Sequence, residues 1–159
     1  MPTHTSIGWD RLASTWQVQA GGYPLQRSRV LLADDHPAYL QRVVRLLEQD
    51  YEIAGTVGDG QALVEEATRL MPDLIVADIS MPKLNGIEAV RQLKCAGCIA
   101  KVIFLTVHED PDFVEECLHA GALAYIVKSR LASDLVPALQ MVVINRKYVS
   151  PTVYRGGPE

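Results

Sequence analysis

From Arg29 onward the chain alternates two hydrophobic patterns. Apolar runs of strand length fall at 29–33, 52–57, 74–78, 101–106 and 124–127. Between them, apolar residues recur at the spacing of a helix face. Leu40, Val43, Val44 and Leu47 form the first stripe, and Leu63, Ala67 and Leu70 the second. Ile87, Val90 and Leu93 follow, then Phe113, Val114, Cys117 and Leu118, and finally Leu135, Leu139, Val142 and Val143. Five strand–helix units in succession predict an α/β fold, a doubly wound five-stranded parallel sheet with helices on both faces. Gly58-Asp59-Gly60, Asn85-Gly86 and Gly121 punctuate its loops. Ser133 is the expected N-cap of the last helix, which places Pro137 near its first turn and the helix end near Asn145.

Residues 1–27 lack any strand signal and divide off as an N-terminal extension, ahead of a domain over 28–150 and a tail over 151–159. The extension holds both tryptophans. Trp9, Leu12, Ala13 and Trp16 nevertheless fall at i, i+3, i+4 and i+7, the spacing of a short amphipathic helix. No apolar stretch approaches the roughly 20 residues that cross a bilayer. The net charge of −4, without a dense basic run, gives no reason for this chain to contact nucleic acid or an anionic membrane. Three cysteines, an odd number, fit a reducing cytoplasmic setting better than a disulfide framework.

The chemistry concentrates where strands end. Val30-Leu31-Leu32-Ala33 leads into Asp34-Asp35, Leu74-Ile75-Val76-Ala77 into Asp78, and Tyr125-Ile126-Val127 into Lys128. The carboxyl edge of an open α/β sheet is where ligands bind. Two carboxylates about 4 Å apart repel by on the order of 4 kcal/mol at an effective dielectric of 20. A divalent cation relieves that repulsion, and an all-oxygen donor set suits Mg²⁺, which also binds phosphate oxygens. Thr106 brings a hydroxyl to the same edge and Lys128 an ammonium. Together these groups suit a phosphoryl group carried on Asp78, because an aspartate can act as nucleophile in phosphoryl transfer.

These residues carry a family resemblance. L-L-A-D-D-H-P at 31–37, P-D-L-I-V-A-D-I-S-M-P-K-L-N-G at 72–86, F-L-T at 104–106 and A-Y-I-V-K at 124–128 resemble the receiver domain of bacterial two-component response regulators, the CheY-like group with a flavodoxin-like fold. The resemblance covers about Arg29 to Ser150. It implies that Asp78 is the phosphoacceptor, and that Asp35 ligates Mg²⁺ directly and Asp34 mostly through water. The backbone carbonyl of Ser80 would be a further metal ligand. Thr106 and Tyr125 would be the switch pair, Lys128 the phosphate-binding lysine, and Ser80 and His108 the residues that tune dephosphorylation. The implied donor is a sensor histidine kinase or a phosphotransfer protein.

A-D-D-H-P and K-Y-V-S-P look most like the NarL-type subgroup, whose members usually continue into a helix-turn-helix domain. The chain is then either a stand-alone receiver or the receiver fragment of a transcription factor. Ser129 stands where many relatives have a proline, which disfavours a cis bond after Lys128. Val107 is bulkier than usual for its position.

Rival readings attach to single features. A HAD-type phosphatase needs a second aspartate two residues after its nucleophile, and Ser80 stands there. A phosphorylation-independent scaffold does not need the Asp/Thr/Lys set. Beyond its own phosphoryl transfer and dephosphorylation, no enzymatic activity is expected. His36 is expected to serve the turn set by Pro37, and His108 and His119 to lie on the surface. Cys95-Ala96-Gly97-Cys98 closes a helix and lacks the second ligand pair of a zinc site. The stripe from Phe113 to Leu118, with Leu131 and Leu135, is expected to leave an apolar patch for a phosphorylation-favoured homodimer involving the last helix, with Trp9–Trp16 as the alternative contact.

Overall fold

Alternation along the strands sorts the core into two layers. In a computed structural model that describes residues 17–18, 24–25 and 27–154, five strands appear at β1 (Arg29–Ala33), β2 (Glu52–Val57), β3 (Leu74–Ala77), β4 (Lys101–Thr106) and β5 (Ala124–Val127). Leu31, Ala33, Ile75, Ala77, Val102, Phe104, Tyr125 and Val127 face one layer; Val30, Leu32, Leu74, Val76, Ile103, Leu105, Ala124 and Ile126 face the other. Side chains of a strand alternate between sheet faces, so a sheet covered twice reads as continuous apolar runs. The first layer is closed by α2 (Gly60–Leu70), α3 (Gly86–Cys95) and α4 (Pro111–His119). The second is closed by α1 (Pro37–Leu47) and α5 (Leu131–Val143).

All the pairings in the main sheet are parallel and run in the order β2-β1-β3-β4-β5-β6. The sixth strand, β6 (Tyr148–Val149), is one more than the sequence predicts. Two residues are too few to show a period of two, so nothing in the pattern could reveal it. Its place is decided by pairing with Ala124 and Tyr125 at the sheet edge. Gln17–Val18 and Pro24–Leu25 form a separate antiparallel ribbon. Trp9–Trp16 lies outside the described residues.

Helix starts follow local polar chemistry. Asp59, Asn85 and Asp110 cap α2, α3 and α4, accepting from the backbone N–H of Ala62, Glu88 and Asp112. The start of α5 differs from expectation. A 3₁₀ turn over Lys128–Arg130 leads directly into Leu131, so Ser133 lies inside the helix and Pro137 is its seventh residue. Pro137 gives up the helical bond to the Ser133 carbonyl. The early start is favoured because Leu131, buried to 1% exposure, joins Leu135, Ala138 and Leu139 on the sheet.

The Cys95–Cys98 motif is a helix stop. Gly97, at φ 88°, donates its N–H to Lys94, and Cys98 donates to Leu93, a Schellman closure that needs a left-handed residue at Gly97. Asn145, at φ 62°, closes α5 in the same way through Val142, with Arg146 bonding Met141. All three cysteines are free thiols. Burial first, then the Glu116 charge, pushes the Cys117 thiol up to about 12.

One buried polar network ties the C-terminal segment to the sheet. Asp134, 2% exposed, accepts from the Arg130 guanidinium at 2.8 and 3.0 Å, from Ser133 Oγ at 2.9 Å and from Ser150 Oγ at 2.7 Å. Ser150 Oγ in turn accepts from Val127 N at 3.1 Å, at the end of β5. Beyond it, Pro151–Tyr154 forms a 3₁₀ turn that seats Val153 in the core.

Two outcomes follow from this packing. Ser150→Ala should lower stability by about 1–3 kcal/mol in urea unfolding, because it strips the buried Val127 N–H and the Asp134 carboxylate of a partner; an unchanged midpoint would show the network to be dispensable. In the native protein an alkylating reagent should modify exposed Cys95 fastest and spare Cys117 until unfolding, a sequence that peptide mapping reads directly.

Candidate functional site

The main-chain ladder places the acidic residues before any side chain acts. Asp78 N donates to Ala33 O at 2.9 Å, which fixes the end of β3 beside the end of β1. Asp34 N donates to Val57 O at 3.0 Å, which fixes the end of β1 beside β2. The strand order reverses between β1 and β3, so the two aspartates flank the sheet's switch point, where doubly wound folds bind ligands. Asp34 is 4% exposed and Asp78 5%; Asp35 is exposed.

Lys128 reaches this point from the far end of β5. Its Nζ donates to Asp34 Oδ2 at 2.6 Å and to Asp78 Oδ2 at 2.9 Å. Burial alone would lower the Lys128 pKa, and it is the largest single influence; the two carboxylate bonds and charges together outweigh it and hold the ammonium above its ordinary value. The Lys128–Ser129 bond is trans, as is every peptide bond among the described residues.

Tyr39 is a site residue that the sequence reading missed. Its hydroxyl donates to Lys128 O at 3.0 Å, and its ring lies 4.4 Å below the Lys128 ammonium in a cation–π contact. The signal was available, since Tyr39 sits in the first turn of α1, four residues after Asp35. Only the fold reveals that this turn faces β5.

His36 does more than serve the turn. It caps α1 ahead of Pro37, and its N–H donates to Asp34 Oδ1 at 2.9 Å. Its Nδ1 also lies 3.2 Å from Asp34 Oδ1 and 3.0 Å from Asp35 Oδ1. Asp34, Asp35, His36 and Asp78 each offer a ligand atom within 4.8 Å of the others. Three carboxylates converging on one small volume fit a hard divalent cation, so the residues present suit the Mg²⁺ that the sequence implies.

Thr106 is fully buried at the end of β4, and its Oγ1 accepts from His108 N at 3.3 Å. Ser80 N lies 3.4 Å from Asp78 Oδ1, and Ser80 Oγ and His108 Nε2 are 3.0 Å apart. The His108 ring stacks on Phe113 at 4.5 Å. Tyr125 is fully buried and donates its hydroxyl to His108 O at 2.7 Å. Burial first, then neighbouring acidic groups, raises its phenol pKa. His108 thus joins Ser80, Thr106, Phe113 and Tyr125, a convergence that residue spacing does not show. Val107 beside it points outward, 66% exposed.

Two glycines shape the loop that follows Asp78. A Cβ on Gly86 would meet Asp78 O at 2.0 Å, and one on Gly60 would meet Leu84 O at 1.9 Å. Any side chain at either place would displace the segment from Ile79 to Asn85. Lys83, in the left-handed region at φ 67°, turns the same loop and sets its Nζ 3.6 Å from Asp59 Oδ2.

Comparison with known proteins agrees with this geometry. Residues 30–140 match the model of the response regulator receiver domain. The transcriptional regulatory protein PdtaR of Mycobacterium tuberculosis is 40% identical over 116 residues, which are 72% of this chain and 56% of that one. The transcriptional regulatory protein DegU of Brevibacillus brevis is 35% identical over 127 residues, 79% of this chain and 54% of that one. The chain therefore spans little more than half the length of these relatives. Among solved structures, a LuxR-family two-component response regulator from Aurantimonas sp. SI85-9A1 superposes with a TM-score of 0.76 at 28% identity, over 80% of this chain and 93% of that one. The receiver domain of the putative response regulator NarL from Mycobacterium tuberculosis gives 0.72 at 26%, over 76% and 98%. With this sheet order, this site and these matches, the chain belongs to the response regulator receiver domain family of two-component systems.

Proposed function

We propose that this receiver accepts a phosphoryl group on Asp78 from the phosphohistidine of a sensor kinase or phosphotransfer protein, in the cytoplasm, and changes a protein-binding surface in response. The Lys128 bridge to Asp34 and Asp78 is the observation that carries the reading. It leaves Asp78 Oδ1, whose one contact is the long one to Ser80 N, as the freer oxygen. That oxygen attacks phosphorus, the P–O bond forms as the P–N bond breaks, and the histidine nitrogen leaves with the electron pair. Lys128 then moves from partnering carboxylates to partnering a phosphoryl oxygen, and the Thr106 hydroxyl supplies a further hydrogen bond. Asp35, Asp34, Asp78 and the Ser80 carbonyl would hold Mg²⁺, which neutralises the carboxylates and the transferring group when bound.

The output follows from His108. Tyr125 is already inside, so the response need not begin with its inward swing. A shift of Thr106 toward phosphate would pull His108 N, and with it the Ser80 and Phe113 contacts, biasing the loop between β4 and α4. Ser80 and His108, bridged beside Asp78 Oδ1, would set how readily water reaches the phosphoryl group.

Of the patch expected for a homodimer, Phe113 and Leu118 stay half-buried at the surface. Leu131 and Leu135 are buried at 1% and 0%, and Val114 and Cys117 at 2% and 0%. Along α5, Ala132 and Pro137 are exposed and Val136 and Met141 half-buried, so a phosphorylation-favoured homodimer through that helix would have apolar contacts available. A receiver fragment of a transcription factor is the second reading, favoured by the relatives' names and the share of their length matched; this chain by itself would still make no nucleic-acid contact.

Acetyl phosphate with Mg²⁺ should add one phosphoryl mass to the protein in intact mass spectrometry, and Asp78→Asn should abolish it; equal labelling of the two would refute the assignment. Asp35→Ala should remove most of the Mg²⁺-dependent gain in melting temperature. Lys128→Met should cost about 3 kcal/mol, because two buried carboxylates lose their counter-charge. A cation held above its ordinary value stabilises fully below that value and loses its effect as pH rises through the raised one. The wild-type advantage should therefore persist up to about pH 10.5 and decline only above it, measured by urea unfolding across alkaline pH.

A further inference from the structure

We propose that an apolar cavity at the amino-terminal edge of the sheet is the docking site for this chain's own Trp9–Trp16 segment. The cavity, about 510 Å³, lies on the edge opposite Asp78, between the ends of α2 and α3 and the starts of β3 and β4. Ala67, Leu74, Leu93 and Val143 give it an apolar lining. Its charged wall groups are already engaged. Asp73 accepts from Arg29 N at 2.8 Å, and Lys101 Nζ donates to Val143 O at 2.8 Å. An occupant therefore meets apolar surface rather than free charge. That volume suits aromatic side chains, which bury roughly 150–250 Å² each.

The rim holds an unusual concentration of exposed apolar side chains. Met71 is 76% exposed and Ile99 91%, and both line the cavity; Ile144, 60% exposed, follows the lining residue Val143. These are three of the four large exposed hydrophobics among the described residues. Met71 also holds a left-handed conformation, at φ 49°, as the cap of α2. Glycine or asparagine would adopt it at lower cost, but neither would present an apolar side chain at the cavity mouth.

The occupant is indicated by where the chain goes. Ser28 lines the cavity. Immediately before it, Gln17 pairs with Leu25 and Val18 with Pro24. That pairing sets Gln17, the residue after the stripe, about 5 Å from Leu25. Three residues on from Leu25, a reach of at most about 10 Å, the chain is at the cavity wall at Ser28. The ribbon thus holds Gln17, next in sequence to the Trp9, Leu12, Ala13, Trp16 stripe, within about 15 Å of an apolar cavity whose wall its own chain forms. As a helix that stripe would span about 10 Å. Covering Met71 and Ile99 with it removes apolar surface from water without a second molecule, so the contact is intramolecular.

The test uses the chain's own reporters, because Trp9 and Trp16 are its only tryptophans. In the full chain, emission should be blue-shifted from its value in denaturant, poorly quenched by acrylamide and unchanged on dilution. Ile99→Lys, on the exposed rim, should shift emission to the denatured value and raise quenching several-fold while far-UV circular dichroism stays native. Leu12→Asp should do the same from the other side of the contact. Val107→Lys, equally surface-directed but at the opposite edge, should change neither reading. Wild-type emission at the denatured value, or a blue shift that survives Ile99→Lys, would overturn the proposal. A blue shift lost on dilution would assign the cavity to a second copy and overturn it equally.

Discussion

The ammonium of Lys128 between Asp34 and Asp78 is the contact on which the site depends. Backbone bonds from Asp34 N and Asp78 N set two nearly buried carboxylates side by side whatever their charge. Such a pair is unfavourable unless a counter-charge joins it, and removing that partner leaves an uncompensated buried charge. Lys128 supplies it from β5, two strands beyond β3, so its side chain reaches across the end of β4. Tyr39 holds the lysine from below through its ring and its hydroxyl. The same ammonium is the group best placed to follow negative charge arriving on Asp78, so stability and chemistry draw on one interaction.

A second fixed point lies directly behind it. Val127, the residue before Lys128, is pinned by Ser150 Oγ, and Ser150 by Asp134. The network satisfies a buried carboxylate with three side-chain partners, and burial's tendency to raise its pKa is overcome by those bonds. The C-terminal end of the domain is thus connected to the lysine through one short chain of hydrogen bonds. By contrast, the contacts holding the loop beyond β4 converge on one residue, His108, and it is there that a shift in Thr106 would be felt.

Apolar surface is distributed in a way that separates two edges of the molecule. At the carboxyl edge most of the apolar helix faces are consumed by the core: Val114, Cys117, Leu131 and Leu135 are buried, and Phe113 and Leu118 half-buried. At the amino edge, Met71, Ile99 and Ile144 stay exposed around a cavity. The acidic site and the open apolar cavity thus lie at opposite edges of the sheet.

The strand runs, the helix stripes and the order of Asp34, Asp35, Asp78, Thr106 and Lys128 along the chain were decided locally, by hydrophobic period and by residues at strand ends. That is why five strands and five helices were legible, and why the acidic set could be named before any fold was known. What the chain pattern did not contain was contact between distant segments. β6 is two residues long and exists only through its neighbour. The start of α5 was set by burial of Leu131, which overrode the capping preference of Ser133 and carried Pro137 into the helix. Tyr39, His36 and the Ser80–His108 bridge entered the site because three loops converge on one sheet edge. Side-chain period reports which face a residue takes on its own element; only tertiary packing decides which other elements that face will meet.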